Sequence, residues 1–323
     1  MQSLVVRLPN HLGDACMALP ALECLAAAGW SLTIAGRPWA VDLLAARPWQ
    51  VVALPPSRSD SIAALRGALK ALPRETEALL LTNSFSSALE FRLAGLRPSG
   101  YATDGRRLLL RHAVPVPREW AGDMHTVAYY LHLARALKLR HNLPPGTRRP
   151  ASVPAPQLPV SATARERASA ALAAAGVHGP YVVLCPTARG QHHGQDKCWD
   201  GFGRLAGELI AGGHAVVVCP GPGEAEAART AVPQVRPLEP LPLDAFAALL
   251  AASRLVVAND SGPGHLAAAV GAPLVGVFGV TDPTKTRPLG ASVHIIGSSS
   301  AWPAYAQVSA QVAALLAPAP DPA

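Results

Sequence analysis

Short, almost wholly apolar runs recur along this chain, each closed by a Pro-, Gly- or Asn-containing turn that opens onto a helical pattern. The runs are 4–8 (LVVRL), 30–35 (WSLTIA), 51–54, 78–82 (ALLLT), 181–185 (YVVLC), 215–219 (AVVVC), 255–258 and 274–278. Strands that are apolar on both faces belong in a parallel sheet covered by helices on both sides. Helices are expected over 15–28, from the mid-80s through Leu93, over 124–138, 162–175 and 199–212, and from Glu224 and Gly262 onward. The alternation stops once, at 141–160 (HNLPPGTRRPASVPAPQLPV), a Pro- and Arg-rich stretch without periodicity that reads as a linker. It then restarts. The reading is two successive α/β units, residues 1–155 and 156–323, a division that a length of 323 residues accommodates. No internal repeat is visible.

Composition narrows the class. Half of the residues are hydrophobic, enough for a large core. No apolar stretch reaches the roughly 18 residues of a spanning helix. The first residues, MQSLVVRLPNHLGD, lack a basic segment leading into an apolar one, so they read as a buried strand and not as a signal peptide. The five cysteines are odd in number and show no CxxC spacing, which fits free thiols in a reducing cytosol. A cytoplasmic protein is expected.

The formal charge of +7 is uneven: residues 1–155 hold 18 Lys and Arg against 10 Asp and Glu, and residues 156–323 hold 10 against 11. A basic first half suits an anionic partner such as a phosphorylated lipid or acidic sugar, and equally a solvated, Arg-rich surface. A nucleic acid is not expected, because no aromatic-rich strand and no helix of clustered Lys and Arg accompanies the charge. No basic amphipathic helix stands out either, so any membrane contact would be peripheral.

Four segments carry candidate chemistry. The first is Arg7-Leu8-Pro9-Asn10-His11-Leu12-Gly13-Asp14. Open parallel sheets present their active residues just beyond the strand C-termini. Gly13 permits a tight turn there. Asp14 is either a helix N-cap or a general base for an acceptor hydroxyl, kept ionised by the helix start. The second is Asn259-Asp260-Ser261-Gly262-Pro263-Gly264-His265. Backbone amides at a glycine-rich helix start suit a diphosphate; Asp260 and Ser261 could instead cap the helix, and His265 could bond a phosphate or pack beneath the loop. The third is Pro186-Thr187-Ala188-Arg189 followed by Lys197-Cys198-Trp199, with a polar, flexible loop between. Thr187 could donate to a phosphate, Lys197 could stabilise a departing diphosphate, and Trp199 reads as core. The fourth is Pro220-Gly221-Pro222-Gly223-Glu224, where Glu224 could cap a helix or accept from ribose hydroxyls.

Other chemistries lack their signatures. His192-His193 are adjacent and read as loop, and no Cys, Asp or Glu spacing suggests a metal site. There is no GxGxxG after the first strand, no GxxxxGK[ST] and no GxSxG, which argues against dinucleotide oxidoreductases, P-loop NTPases and α/β-hydrolases.

Taken in order and spacing, these segments resemble the bacterial lipopolysaccharide heptosyltransferases of glycosyltransferase family 9, and look closest to the heptosyltransferase II branch. The resemblance runs nearly the full length. It rests on RLPNHLGDACMALPAL at 7–22, Gly36-Arg37-Pro38-Trp39, NSFSSALEFRLAG at 83–95 with Gly100-Tyr101, Lys197-Cys198-Trp199, NDSGPGHLAAAVGAP at 259–273, and FGVTDP at 278–283. It implies a GT-B fold: two Rossmann-like, doubly wound domains facing a central cleft, the first binding acceptor and the second nucleotide sugar, with the last helix returning to the first. It implies inverting transfer of heptose from ADP-L-glycero-D-manno-heptose to the lipopolysaccharide inner core, with no metal and no tightly bound cofactor, the ADP-sugar being a substrate. Asp14 matches the family's base, and Lys197 also serves catalysis. Thr187, Lys197, Glu224, Asp260, Ser261, Gly262 and His265 match donor contacts. Asn10, Arg92, Arg106 and Arg107, with Arg97 and Arg111, are candidates for an anionic lipid-linked acceptor, reached from the cytoplasmic face of the inner membrane. The sequence departs from the family where Pro263 interrupts the donor loop, where the segment before Lys197 is long and polar, and where Val280 follows Gly279. Another nucleotide sugar, such as a hexosamine donor, or a non-catalytic nucleotide-sugar binder are the alternatives.

Overall fold

The computed structural model describes residues 2–140, 153–188, 190–192 and 194–317. The chain forms two compact units, Met1–Pro156 and Gln157–Ala323. Most of the linker stretch, 141–152, and also Arg189 and His193 lie outside the described residues.

The first unit holds strands β1 (Gln2–Arg7), β2 (Trp30–Gly36), β3 (Gln50–Ala53), β4 (Glu77–Leu80), β5 (Pro98–Tyr101) and β6 (His112–Val114), with helices α1 (Leu12–Ala27), α2 (Ala40–Leu43), α3 (Arg58–Leu69), α4 (Phe85–Ala94) and α5 (Thr126–Arg140). Its sheet is parallel throughout, in the order β3-β2-β1-β4-β5-β6. In β1, Val6 pairs with Ile34 on one side and Leu79 on the other, and both it and Leu4 are fully buried. The order in which successive strands are added reverses between β1 and β4, the point in such sheets where a crevice opens beyond the strand C-termini. One face packs α3 and α4 through Leu65, Ala88 and Phe91. The other face carries α1, which packs along α5 and is buried nearly all round.

The second unit holds β7 (Tyr181–Cys185), a hairpin of β8 (Gln191–His192) and β9 (Gln195–Asp196), β10 (Ala215–Val217), β11 (Leu255–Asn259), β12 (Leu274–Phe278) and β13 (Val293–Gly297). Helices α6 (Ala162–Ala174), α7 (Phe202–Ala211), α8 (Ala225–Ala231), α9 (Leu243–Ala251), α10 (Gly262–Ala269), α11 (Pro283–Thr286) and α12 (Tyr305–Leu316) surround it. The sheet order is β10-β7-β11-β12-β13, again parallel, with its reversal between β7 and β11. Helix α12, expected to return to the first unit, lays Val308, Val312 and Leu316 into the second unit's core beside Val275 and Val277.

Two sequence readings change. The segment 190–196, read as an irregular loop, contains the β8–β9 antiparallel hairpin, with Gly190 and Gly194 supplying the left-handed residues (φ 81° and 79°) that its turns require. Strands β5, β6 and β13 escape the pattern because PSGY and HAV hold too few large apolar residues to register as apolar runs, and His294 interrupts VHIIG.

Candidate active site

In the first unit the loop after β1 is fixed from below. Arg7 is buried, and its guanidinium donates to the carbonyl of Leu8 (2.8 Å) and to Asn10 Oδ1 (2.7 Å). Burial pulls its pKa down to about 10, against the opposing pull of Glu90. Asn10, expected at the acceptor, is thus held by Arg7 while its own surface stays exposed.

Asp14 is not the helix cap. That position belongs to His11, which makes no side-chain capping bond, and Asp14 is the third residue of α1. Gly13 is likewise helical and makes no special turn. A carboxylate in the first turn still feels the helix dipole favourably. Its partner comes from α5: the Tyr130 hydroxyl donates to Asp14, and burial, followed by the Asp14 charge, pushes that phenol well above its ordinary pKa. Across the crevice, Tyr129 donates to Asn83 Oδ1 (3.2 Å) at the end of β4 and stacks against Tyr101 and the half-buried Trp120. Ser84 caps α4, accepting from the Ser87 amide, and Thr82 donates to Ser87 Oγ (2.8 Å). The region past β1 and β4 thus brings together hydroxyls, an amide, a carboxylate and aromatic rings, most of them buried.

The expected arginines separate into two groups. Arg92, Arg97, Arg107 and Arg111 are exposed, the last 3.7 Å from Glu77. Arg106, expected at the acceptor, is wholly buried: its Nε donates to the Tyr101 carbonyl (2.9 Å) and Nη1 to the Ser84 carbonyl (3.2 Å). Burial lowers its pKa to about 10. It ties β5 to the α4 cap and offers no surface to a ligand.

In the second unit the predicted donor residues converge. Asp260 follows β11, and its carboxylate lies 3.5 Å from Lys197 Nζ and 3.9 Å from His265 Nε2. Burial alone would raise its pKa; His265, the nearby Thr281 hydroxyl and the Lys197 charge outweigh that and hold it below the ordinary value. Thr281 Oγ1 is buried close to this carboxylate without completing a well-formed hydrogen bond. The side chain of Ser261 makes no cap bond but donates to the Asn259 carbonyl, so neither Asp260 nor Ser261 caps α10 through its side chain. Gly262 opens α10, and Pro263 falls in the first turn, where a proline removes an amide that the helix does not use. Gly264 sits where a Cβ would press on the Asn259 carbonyl at 3.4 Å. Thr187, at the end of β7, donates to Glu224 Oε2 (2.9 Å), which also takes the Gly221 amide. Glu224 occupies the α8 cap position, yet its carboxylate is turned toward Thr187 and the glycine turn.

Asn259, which the motif alone gives no role, is the strut of this region. It is buried, its Oδ1 accepts from the Trp199 amide (2.9 Å) and its Nδ2 donates to the Pro186 carbonyl (2.8 Å). One side chain thus fixes the Thr187 loop, the Lys197 loop and β11 against one another. Trp199 is core, packed on Phe202 and Tyr305. Replacing Asn259 by Ala orphans two buried backbone groups, and a loss of about 2–4 kcal/mol in the second unit is expected. Denaturant unfolding checks this; a loss well under about 1 kcal/mol contradicts the strut.

Among the described residues, no cluster of three or more His, Cys, Asp or Glu side chains is placed to hold a metal ion. A surface depression lined by Gln2, Trp30, Glu75 and Glu77 lies at the N-terminal edge of the first sheet, the end opposite the crevice.

Residues 65–314 match glycosyltransferase family 9 (heptosyltransferase). A stretch of 124 residues is 36% identical to lipopolysaccharide heptosyltransferase 3 of Escherichia coli, covering 35% of this chain and 35% of that protein. The chain thus matches about a third of the length of that relative. The solved structure of E. coli ADP-heptose lps heptosyltransferase II superposes with a TM-score of 0.76 at 26% identity, covering 98% of both chains. E. coli heptosyltransferase WaaC with ADP shares the fold, with a TM-score of 0.72 at 20% identity, covering 98% of this chain and all of that one. Two parallel α/β units, each with its polar residues at the sheet reversal, and a family match across most of the chain lead to one assignment: this protein has the GT-B fold and belongs to glycosyltransferase family 9.

Proposed function

We propose that the chain transfers heptose from ADP-heptose to the inner core of lipopolysaccharide with inversion. The observation that carries the reading is the second unit's cluster, in which Lys197 and His265 flank Asp260 at the start of α10 while Thr187, bonded to Glu224, follows the neighbouring strand β7. A diphosphate placed there meets the Lys197 cation, which Asp260 orients, a hydroxyl donor and a helix N-terminus. Glu224 is suited to ribose hydroxyls, with Thr187 holding its orientation.

In this reading an acceptor hydroxyl gives its proton to Asp14 as its oxygen attacks the anomeric carbon from the face opposite ADP. The bond from that carbon to the diphosphate oxygen breaks, and ADP leaves with the electron pair, its new charge met by Lys197 and the α10 amides. Tyr130 fixes the Asp14 carboxylate. Asn10 and the exposed Arg92 and Arg107 take up polar and anionic parts of the lipid-linked acceptor at the cytoplasmic face of the inner membrane. The reaction so written uses no metal and no resident cofactor.

A donor screen tests it: purified protein, a lipopolysaccharide acceptor lacking outer heptose, and a panel of nucleotide sugars, with nucleotide release and product mass recorded. ADP-heptose is expected to react fastest. Turnover with a hexosamine donor while ADP-heptose stays inert, or binding without turnover of any donor, overturns the assignment.

A further inference from the structure

The outer face of α4 is unusual for a surface helix. Phe85, Leu89 and Leu93 recur every fourth residue, which places them in one stripe. Phe85 is 44% exposed and Leu93 47% exposed, with Leu89 half-buried. A 3-10 turn at Arg106–Leu109 packs alongside α4, and in it Leu108 is 95% exposed while Leu109 turns inward onto the core. Six large apolar side chains are strongly exposed among the described residues, and three of them, Phe85, Leu93 and Leu108, fall on this one face. Single exposed leucines need no explanation, but a cluster on one face does.

The polar residues around it are mostly cationic. Arg66, Arg92, Arg97, Arg107 and Arg111 are exposed on α3, on α4 and on the segment after it. The acids nearby are largely engaged: Asp104 accepts from the Phe85 amide (2.7 Å), Glu90 lies 4.0 Å from Arg58, and Glu77 lies 3.7 Å from Arg111. Buried Arg106 pins the turn to α4, so Leu108 is held outward by a rigid support. Apolar side chains ringed by arginines match the boundary between acyl chains and acidic headgroups.

We propose that this face, Phe85, Leu89 and Leu93 of α4 with Leu108 and the surrounding arginines, seats the chain on an anionic phospholipid bilayer. The proposal rests on the reading that the acceptor is lipid-linked, and it names the surface that would bring the first unit to such an acceptor.

Vesicle co-sedimentation of the full chain tests it. The probes are phosphatidylglycerol–phosphatidylethanolamine vesicles and, for comparison, phosphatidylcholine vesicles. The unaltered chain is expected to pellet with the anionic vesicles and far less with the neutral ones. Raising salt from about 0.1 M to about 1 M, which shortens the screening length from about 10 Å to about 3 Å, is expected to release part of it. The L93D/L108D variant is expected to bind the anionic vesicles at least about tenfold more weakly, with ADP binding unchanged, since each leucine contributes on the order of a tenfold gain when buried. L108S alone, which has almost no packing to lose, guards against a folding defect in the double variant and is expected to weaken binding severalfold. No pelleting of the unaltered chain, equal binding to both vesicle types, or undiminished binding by both variants overturns the proposal. The readout needs no donor, so an enzyme inert toward ADP-heptose could still bind vesicles, and the two readings fail separately.

Discussion

Asp14→Asn is expected to lower kcat by about two to four orders of magnitude, the range for losing a general base. Packing is not at stake in this substitution. Asparagine has the same shape, and its side-chain oxygen can still accept from Tyr130, whose hydroxyl otherwise would lose its partner in a buried place. Melting temperature and ADP affinity are therefore expected to stay within error, because the residues proposed to bind the donor belong to the other unit. Steady-state nucleotide release, with ADP binding measured by calorimetry, separates the two. If the Asn variant turns over within a factor of about three of the unaltered enzyme, Asp14 is not the base, and its pairing with Tyr130 must be read as structural alone.

Lys197→Met is the second large effect. The side chain keeps its length and loses its charge. Removing one preorganised donor to a developing anion costs about 100- to 1000-fold in rate, and that is the expected fall in kcat. The residue also helps to hold Asp260 ionised, so its loss moves the Asp260 pKa up toward the ordinary carboxylate value. The sign of the stability effect follows. A depressed carboxylate pKa stabilises the folded state above the unfolded value of 3.8, and that stabilisation is lost as pH falls through the folded value. The Met variant is expected to give up part of this contribution near neutrality and to lose less on further acidification below pH 3.8. Pre-steady-state nucleotide release and acid titration of unfolding check the two parts. A variant with full kcat and only a raised KM would place Lys197 in ground-state binding rather than at the departing diphosphate.

The parts of this protein that were legible in its sequence are those encoded locally. Runs such as YVVLC and LVVAN announce buried parallel strands, and the glycine and Asx residues that close them mark the places where chemistry can be exposed. Thr187 lies just past β7 and Asp260 and His265 just past β11, the two strands of the reversal, while Lys197 follows the β8–β9 hairpin and Glu224 the glycine turn after β10. The supports were not legible, since they are long-range. Asn259 joins residues 60 and 73 positions away, and Tyr130 reaches Asp14 from a different helix. The signal nearest to hand was the adjacent pair Tyr129-Tyr130 in a chain with five tyrosines. Arg106 misled for a related reason. Charge pattern alone places arginines at the surface, whereas here one guanidinium is buried with its Nε and Nη1 donating to the carbonyls of Tyr101 and Ser84. The cap assignment for Asp14 failed by three residues, because the helix begins at Leu12 without any capping side chain.

The strand orders of the two sheets differ, β3-β2-β1-β4-β5-β6 in one and β10-β7-β11-β12-β13 in the other. Each order is closed around its own apolar core, and the chain passes from one to the other once, at Pro156–Gln157. The two orders share one plan, winding outward both ways from β1 in the first unit and from β7 in the second, and differ by the additional edge strand β3. Because each core cluster is assembled from one half's own residues, a destabilising substitution in one core is expected to leave the packing of the other intact.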